Sequence, residues 1–303
     1  MTNYEVTGID VSKWQREIDW HKALGAGISF AFIRASEGNK QVDPYFERNM
    51  AETGRLGIPR GIYHFFKPGK DWRKQVELFS ALVVGNDFEL DAAVDVESDD
   101  GLSKNDTNNA LAKFVRWAEE AIAPRKLTIY TSAGFFNARL PLTGYAWRCP
   151  LWIASWTTGA NPTLPREWRD HKKTWQFWQH SSKNNGLGPE YGVATKSVGL
   201  NRYNGSPAQF KAAYRLPGDI PVPPAPPPPP PAGEAPLYKV LPASLHIFDH
   251  PGVSAPIVGE IQHDQVVQLH DVMGLDEVWV KIGSHPDRWV LHSYNGQKLL
   301  GRV

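Results

Sequence analysis

Through residues 7–205, short apolar runs rich in β-branched and aromatic residues alternate with stretches of helical periodicity. The strand-like runs lie at 7–11, 29–34, 61–65, 92–97, 127–131, 151–155 and 174–179, with 195–200 as an eighth. Between them, Trp72, Val76, Phe79 and Val83 keep the spacing of one buried helix face, as do Leu111, Phe114, Val115, Ala118 and Ile122. Alternation of this kind predicts a mainly parallel α/β sheet, and eight strands predict that it closes into a barrel. After Gly134 the helical periodicity weakens, so fewer helices are expected in the second half.

A different pattern follows. The segment 221–231 reads PVPPAPPPPPP. Proline fixes φ and lacks an amide donor, so this run predicts an extended spacer of roughly 30–35 Å. It divides the chain into a first domain (1–216), a linker (217–236) and a second domain (237–303). In the last of these, strand-like runs at 245–248, 257–261, 265–270, 277–282 and 287–291 are separated by turn residues, which predicts a small all-β barrel.

Composition sharpens this division. Ten of the twelve Trp precede residue 180, and eleven of the 25 Pro lie between 217 and 236. The formal charge of +1 is a sum of opposites: residues 1–216 hold 28 Lys+Arg against 23 Asp+Glu, and residues 217–303 hold 5 against 9. Neither domain has the basic excess expected of a nucleic-acid binder. No run approaches the 18 apolar residues of a membrane span, and the first ten residues carry no signal-like pattern. The one cysteine, Cys149, can form no internal disulfide and is expected to be structural.

The candidate chemistry starts at 92–97, where an apolar run leads into Asp95-Val96-Glu97. Strand side chains alternate, so Asp95 and Glu97 share a face and Val96 takes the other. Two carboxyls so placed repel, and one pKa should rise, as a general acid requires. The run at 7–11 ends in a third carboxylate, Asp10, expected at the same barrel mouth. Aromatics fall at strand ends too: Tyr63, Phe65, Tyr130, Trp152, Trp156, Trp175 and Trp178. Flat apolar faces with polar rims suit the C–H faces of sugars. His64 is expected to be a hydrogen-bonded buried residue. No metal-ligand spacing, nucleotide-binding loop or GxSxG motif is present, so no metal or cofactor is expected.

These stretches resemble the family 25 glycoside hydrolases, the lysozymes (muramidases) of bacteria, fungi and phages. The resemblance runs through GIDVSKWQ (8–15), FAFIRASEG (30–38), GIYHFF (61–66), VDVE (94–97), TIYTS (128–132), PLWIASW (150–156), FWQHS (177–181) and VGLNRYNG (198–205). It implies an irregular TIM-like (β/α) barrel that cleaves the β-1,4 bond between N-acetylmuramic acid and N-acetylglucosamine in peptidoglycan. By the same resemblance Glu97 is the general acid and base, Asp95 assists the substrate acetamido group, and Asp10 is a supporting carboxylate. Arg34, Glu37, Tyr63, Phe65, Tyr130, Trp152, Trp156, Trp178 and Asn201 are expected to bind substrate. One departure stands out. Where the family usually has Asp-x-Asn, this chain has Gly199-Leu200-Asn201. The loss of that carboxylate implies altered pH dependence, with Asn201 a candidate to fill the space. A wall-binding protein without catalysis and a hydrolase of chitin-like polymers are the alternatives.

The tail resembles bacterial SH3-like modules, through LHIF (245–248), IVGEI (257–261), VWVKI (278–282), RWV (288–290) and Tyr294. Such modules on wall lysins bind peptidoglycan. The tail also holds six of the ten His, whose charging on acidification would carry the module from negative toward positive, although exposed His without a switching role is the leading expectation. Action at the cell wall by a monomer is expected, reached as a phage endolysin made in the host cytoplasm or by another export route.

Overall fold

The computed structural model describes residues 6–140, 143–157, 159–182 and 186–217, together with the strands of the tail given below and the residues 263 and 265. The chain forms two compact units, 1–224 and 225–303.

In the first unit eight strands close a barrel: β1 (Thr7–Val11), β2 (Phe30–Glu37), β4 (Arg60–Phe65), β5 (Ala92–Asp95), β6 (Leu127–Ser132), β7 (Leu151–Ala154), β8 (Phe177–Ser181) and β9 (Gly199–Tyr203). A short β3 (Gln41–Val42) pairs back onto the end of β2. Apart from β3, which runs antiparallel to β2, neighbours from β1 to β8 are parallel, whereas β9 runs antiparallel to both β8 and β1. The helices are α1 (Trp20–Gly25), α2 (Phe46–Arg55), α3 (Trp72–Val84), α4 (Lys104–Ile122), α5 (Ala133–Arg139), α6 (Arg166–Asp170) and α7 (Pro207–Tyr214). Among the described residues, the connection from β8 to β9 carries only a 3-10 turn (Gly188–Tyr191). The expected thinning of helices after Gly134 is therefore present: α5 has 7 residues and α6 has 5, against 19 in α4.

Alternation along the strands builds two cores. Outward residues such as Ile9, Ile33, Ile62, Val94, Ile129 and Ile153 pack beneath the helices. They meet Val76, Phe79 and Val83 of α3 and Leu111, Phe114, Val115, Ala118 and Ile122 of α4 there. Inward residues Phe30, Phe32, Tyr63, Tyr130, Trp152 and Phe177 fill the barrel. Rings this large need room. A Cβ on Gly8 would lie 2.5 Å from the Phe30 ring, and one on Gly61 would lie 2.4 Å from Phe32. The two glycines thus admit the two phenylalanines. Phe32 then stacks on Trp152 at 4.3 Å, 21° from parallel, so the lower barrel is solid.

Several boundaries differ from the sequence reading. Strand β5 stops at Asp95, two residues early. The final barrel strand is Gly199–Tyr203, four residues later than expected. Its antiparallel pairing is invisible to local periodicity, which reports spacing and not direction.

In the second unit the described strands are Leu237–Val240, Ser244–Phe248, Ile257–Gln262, Val266–Gln268, Asp271–Met273, Glu277–Ser284, Asp287–Tyr294, Gln297–Lys298 and Leu300–Arg302. All their pairings are antiparallel. Of the tail histidines, His246 and His263 are exposed, while His250, His270 and His285 lie outside the described residues. The proline spacer at 221–231 also lies outside them.

Candidate active site

The mouth of the barrel, at the C-terminal ends of its parallel strands, holds a cleft of about 650 Å³. Asp10, Arg34, Tyr63, Phe65, Asp95, Glu97, Tyr130, Trp152 and Trp156 all line it. Nine of the twelve expected site residues line this cleft, and only the register of the barrel brings them together, because they come from six strands or their ends. Inward positions become polar one layer above the aromatic plug, which turns a packed core into a site.

Asp95 ends β5 and is 7% exposed. Although the strand ends there, the Val96 N–H still donates to the Tyr130 carbonyl (2.9 Å), and the Thr131 hydroxyl donates to the Val96 carbonyl (2.8 Å). Val96 is buried in the outer core. The alternation expected for the strand therefore persists past its end and turns Glu97 to the cleft. Burial pushes the Asp95 carboxyl well above the usual carboxylate range. Glu97 and Asp10 push it the same way, against Arg34 and Lys67. Its Oδ1 is buried without a hydrogen-bond partner, and the rise in pKa expected of the acid in this pair falls on Asp95, the residue expected to assist the acetamido group.

Asp10 sits in a network that the sequence did not announce. Its Oδ2 accepts hydrogen bonds from Gln179 Nε2 and Asn201 Nδ2, both at 2.8 Å. Gln179 Oε1 in turn accepts from the Tyr130 hydroxyl (2.9 Å) and Trp156 Nε1 (3.1 Å). Asn201 Oδ1 accepts from Trp152 Nε1 (2.7 Å). Two amides thus tie three aromatic cleft residues to one carboxylate. Burial raises the Asp10 pKa, and the two amide donors pull it back. Gln179 escaped the sequence reading, yet period 2 along FWQHS places it inward with Phe177.

The same period corrects Trp178. It faces away from the barrel interior, is fully buried in the outer core and donates Nε1 to the Ser155 carbonyl (2.7 Å). It does not line the cleft. Trp175 joins the same outer core. Asn201 is buried behind the cleft and positions Asp10. Glu37 is also set back, held by Arg34 (3.4 Å) and Lys13 (3.5 Å). Trp14, 69% exposed at the cleft rim, is a lining residue that the sequence left unassigned.

Gly199 has an unexpected occupant. It pairs with Asp10 in the β1–β9 ladder, where opposed side chains share a face. A Cβ on Gly199 would lie 2.0 Å from Asp10 Oδ2 and 2.4 Å from Asp10 Cγ. The group filling the space is Asp10 itself, not Asn201. With no side chain opposite, the carboxylate leans across the ladder to reach both amides.

His64 is fully buried outside the barrel wall, between Ser36 Oγ on Nδ1 (2.9 Å) and Gln75 Oε1 on Nε2 (3.0 Å). Burial lowers its pKa to about 4, so it is neutral at neutral pH. Cys149 is buried, its thiol pKa pushed up chiefly by burial. Among the described residues no group of three or more His, Cys, Asp or Glu is placed to hold a metal ion. No helix among them is long and apolar enough to cross a membrane.

Residues 9–188 match glycosyl hydrolases family 25. The chain belongs to this family. It is a glycoside hydrolase. The curated relatives include "Lysozyme M1" of Streptomyces globisporus, 33% identical over 219 residues that cover 68% of this chain and 70% of that protein. Among solved structures, the lysozyme of Streptomyces coelicolor is 31% identical and covers 70% of this chain and 98% of its own, with a TM-score of 0.58. A family 25 glycosyl hydrolase of Bacillus anthracis is 26% identical over 70% of this chain and 94% of its own, with a TM-score of 0.57.

Proposed function

We propose that this family 25 hydrolase is a muramidase, hydrolysing the β-1,4 bond between N-acetylmuramic acid and N-acetylglucosamine in peptidoglycan. The observation that carries this reading is the pair Asp95 and Glu97 in one aromatic-lined cleft, the first buried with an unpartnered oxygen and the second exposed. Relatives that are lysozymes support it.

In this reading Glu97 gives its proton to the glycosidic oxygen as the C1–O bond breaks. The acetamido oxygen of the substrate bonds to C1, and Asp95 accepts the acetamido N–H and stabilises the positive charge that develops there. Water then attacks C1 and gives a proton to Glu97, and the bond to the acetamido oxygen breaks. Substrate-assisted hydrolysis of this kind is a recognised exception to the scheme with an enzyme nucleophile. Arg34, Tyr63, Phe65, Tyr130, Trp152 and Trp156 hold the sugars. Asn201 acts through Asp10, and Glu37 acts through Arg34. In the same reading the chain divides at 1–216, 217–236 and 237–303, acts as a monomer at the cell wall, and carries an SH3-like wall-binding module in its tail.

Digestion of purified peptidoglycan, followed by reduction and sugar analysis of the new ends, tests the bond. N-acetylmuramic acid at the new reducing ends is expected, and N-acetylglucosamine there would overturn the assignment.

Two variants test the site. Ionised Asp10 raises the Asp95 pKa. Asp10→Asn removes that charge, so Asp95 should stay ionised to lower pH. The acidic limb of the kcat/KM profile is therefore expected to move to lower pH, and an unmoved or raised limb would count against the coupling. Gly199→Ala inserts a methyl where the Asp10 carboxylate lies. Displacement of that carboxylate should cost about tenfold to a hundredfold in kcat, since misplacement by about 1 Å can cost that much. Wild-type kcat in this variant would show that the position of Asp10 is immaterial.

A further inference from the structure

Two indoles lie outside the cleft on the packed pair α3 and α4. Trp72 and Trp117 have ring centroids 6.5 Å apart and planes 23° from parallel. Neither lines the cleft. Trp72 rests partly on the outer core, whereas Trp117 is 44% exposed. Each ring carries a guanidinium: Arg73 Cζ lies 4.6 Å from the Trp72 centroid, and Arg116 Cζ lies 5.7 Å from that of Trp117. Both arginines are exposed.

The core does not require this arrangement. Leu111, Phe114, Val115, Ala118 and Ile122 already supply the buried face of α4. Trp117 lies off that face, where a charged residue would serve the helix as well. We propose that Trp72, Trp117, Arg73 and Arg116 form a second binding site that takes a peptidoglycan glycan strand outside the cleft. This rests on the reading of the chain as a wall hydrolase.

The chemistry matches on two counts. Indole faces and edges accept the C–H faces of pyranose rings. Guanidiniums held against aromatic rings are partly ordered before binding, so they lose less freedom when they pair with the carboxylates of lactyl groups and stem peptides. The occupant is argued from charge and extent. Both charges set over the rings are cations, and residues 1–216 hold 28 basic against 23 acidic side chains. The apolar part is two rings among exposed charged residues such as Lys74, Lys113 and Glu120. A stable protein partner needs about 800 Å² on each side, far more than two partly covered indoles provide. A polymer that repeats the same contact along a wall needs no such area, because each weak contact adds to the hold of the cleft.

The full chain tests this through Trp117→Ala and the double variant Arg73→Glu/Arg116→Glu, each first checked for an unchanged thermal midpoint. Initial rates are compared on insoluble purified peptidoglycan and on a short soluble glycan fragment of the same polymer. The rate on the insoluble wall is expected to fall about fivefold, the scale of one exposed aromatic or cation contact, while the soluble rate stays within about twofold. Equal rates on the insoluble wall, or an equal fall on both substrates, would overturn the proposal. Co-sedimentation of the Glu97→Gln chain with peptidoglycan, with and without Trp117→Ala, reads the same site without catalysis. Reduced sedimentation supports the site and unchanged sedimentation rejects it. If the wild type cleaves neither substrate, the reading of the cleft fails, and sedimentation still decides the second site by itself.

Discussion

Glu97→Gln is expected to lower kcat/KM on purified peptidoglycan by about 10²–10⁴-fold, the usual contribution of a positioned general acid. The substitution keeps the shape of the side chain and removes the proton that the leaving oxygen needs. Glu97 is exposed at the cleft, while the chain just before it is pinned by Val96 and Thr131, so little structural change should accompany the loss. Thermal unfolding of the variant should match the wild type. Asp95→Asn should also abolish most activity, but for a different reason. A neutral amide cannot stabilise positive charge on the acetamido group, and substrate binding should survive better than turnover. The discriminating measurement is kcat and KM separately on a soluble glycan fragment. Equal turnover by wild type and Glu97→Gln would remove Glu97 from the mechanism. Failure of the wild type to release any fragment would favour a wall-binding protein in place of an enzyme.

The second large effect concerns stability. Asp43→Ala is expected to destabilise the first unit by about 3–5 kcal/mol, the typical cost of breaking a buried ion pair by removing one partner. Asp43 Oδ2 accepts from Arg34 Nε at 2.7 Å and from the Lys13 N–H at 2.8 Å, and its Oδ1 accepts from the Tyr45 N–H at 3.0 Å. The side chains of Arg34 and Asp43 are 5% and 1% exposed. One carboxylate thus joins the turn after β1, strand β2 and the start of α2. Its removal leaves Arg34 buried with the longer Glu37 contact, at 3.4 Å, as its remaining ion pair. For a unit of this size the thermal midpoint should fall by about 10 °C. The double variant Arg34→Met/Asp43→Leu should recover part of that stability without recovering activity, because it removes both charges together but leaves the Lys13 and Tyr45 N–H groups without their acceptor. A drop of less than about 1 kcal/mol for Asp43→Ala would mean that water reaches the pair.

Much of the fold was legible because the barrel strands are short and buried on both faces. Such strands read as apolar runs with clear ends, and α3 and α4 show their buried stripes at helical spacing. Asp10, Asp95 and Glu97 were legible as carboxylates at strand ends, where burial penalises charge and stability gives no reason to keep it. Trp178 misled because a tryptophan at a strand end looks alike on either face. Only register along β8 shows that Gln179, one residue on, is the side chain that enters the site.

The residue types and their local periods determined the barrel class and the acids to suspect. Local sequence has no means to state which strands pair, in which direction, or what lies across a barrel from what. The antiparallel β9 is such a decision. It sets Gly199 opposite Asp10, and the missing side chain lets that carboxylate cross the ladder to Gln179 and Asn201. The raised proton affinity of Asp95 is another, since it comes from burial and from charges on other strands. Both depend on distances between residues far apart in sequence, and closure of the barrel sets those distances.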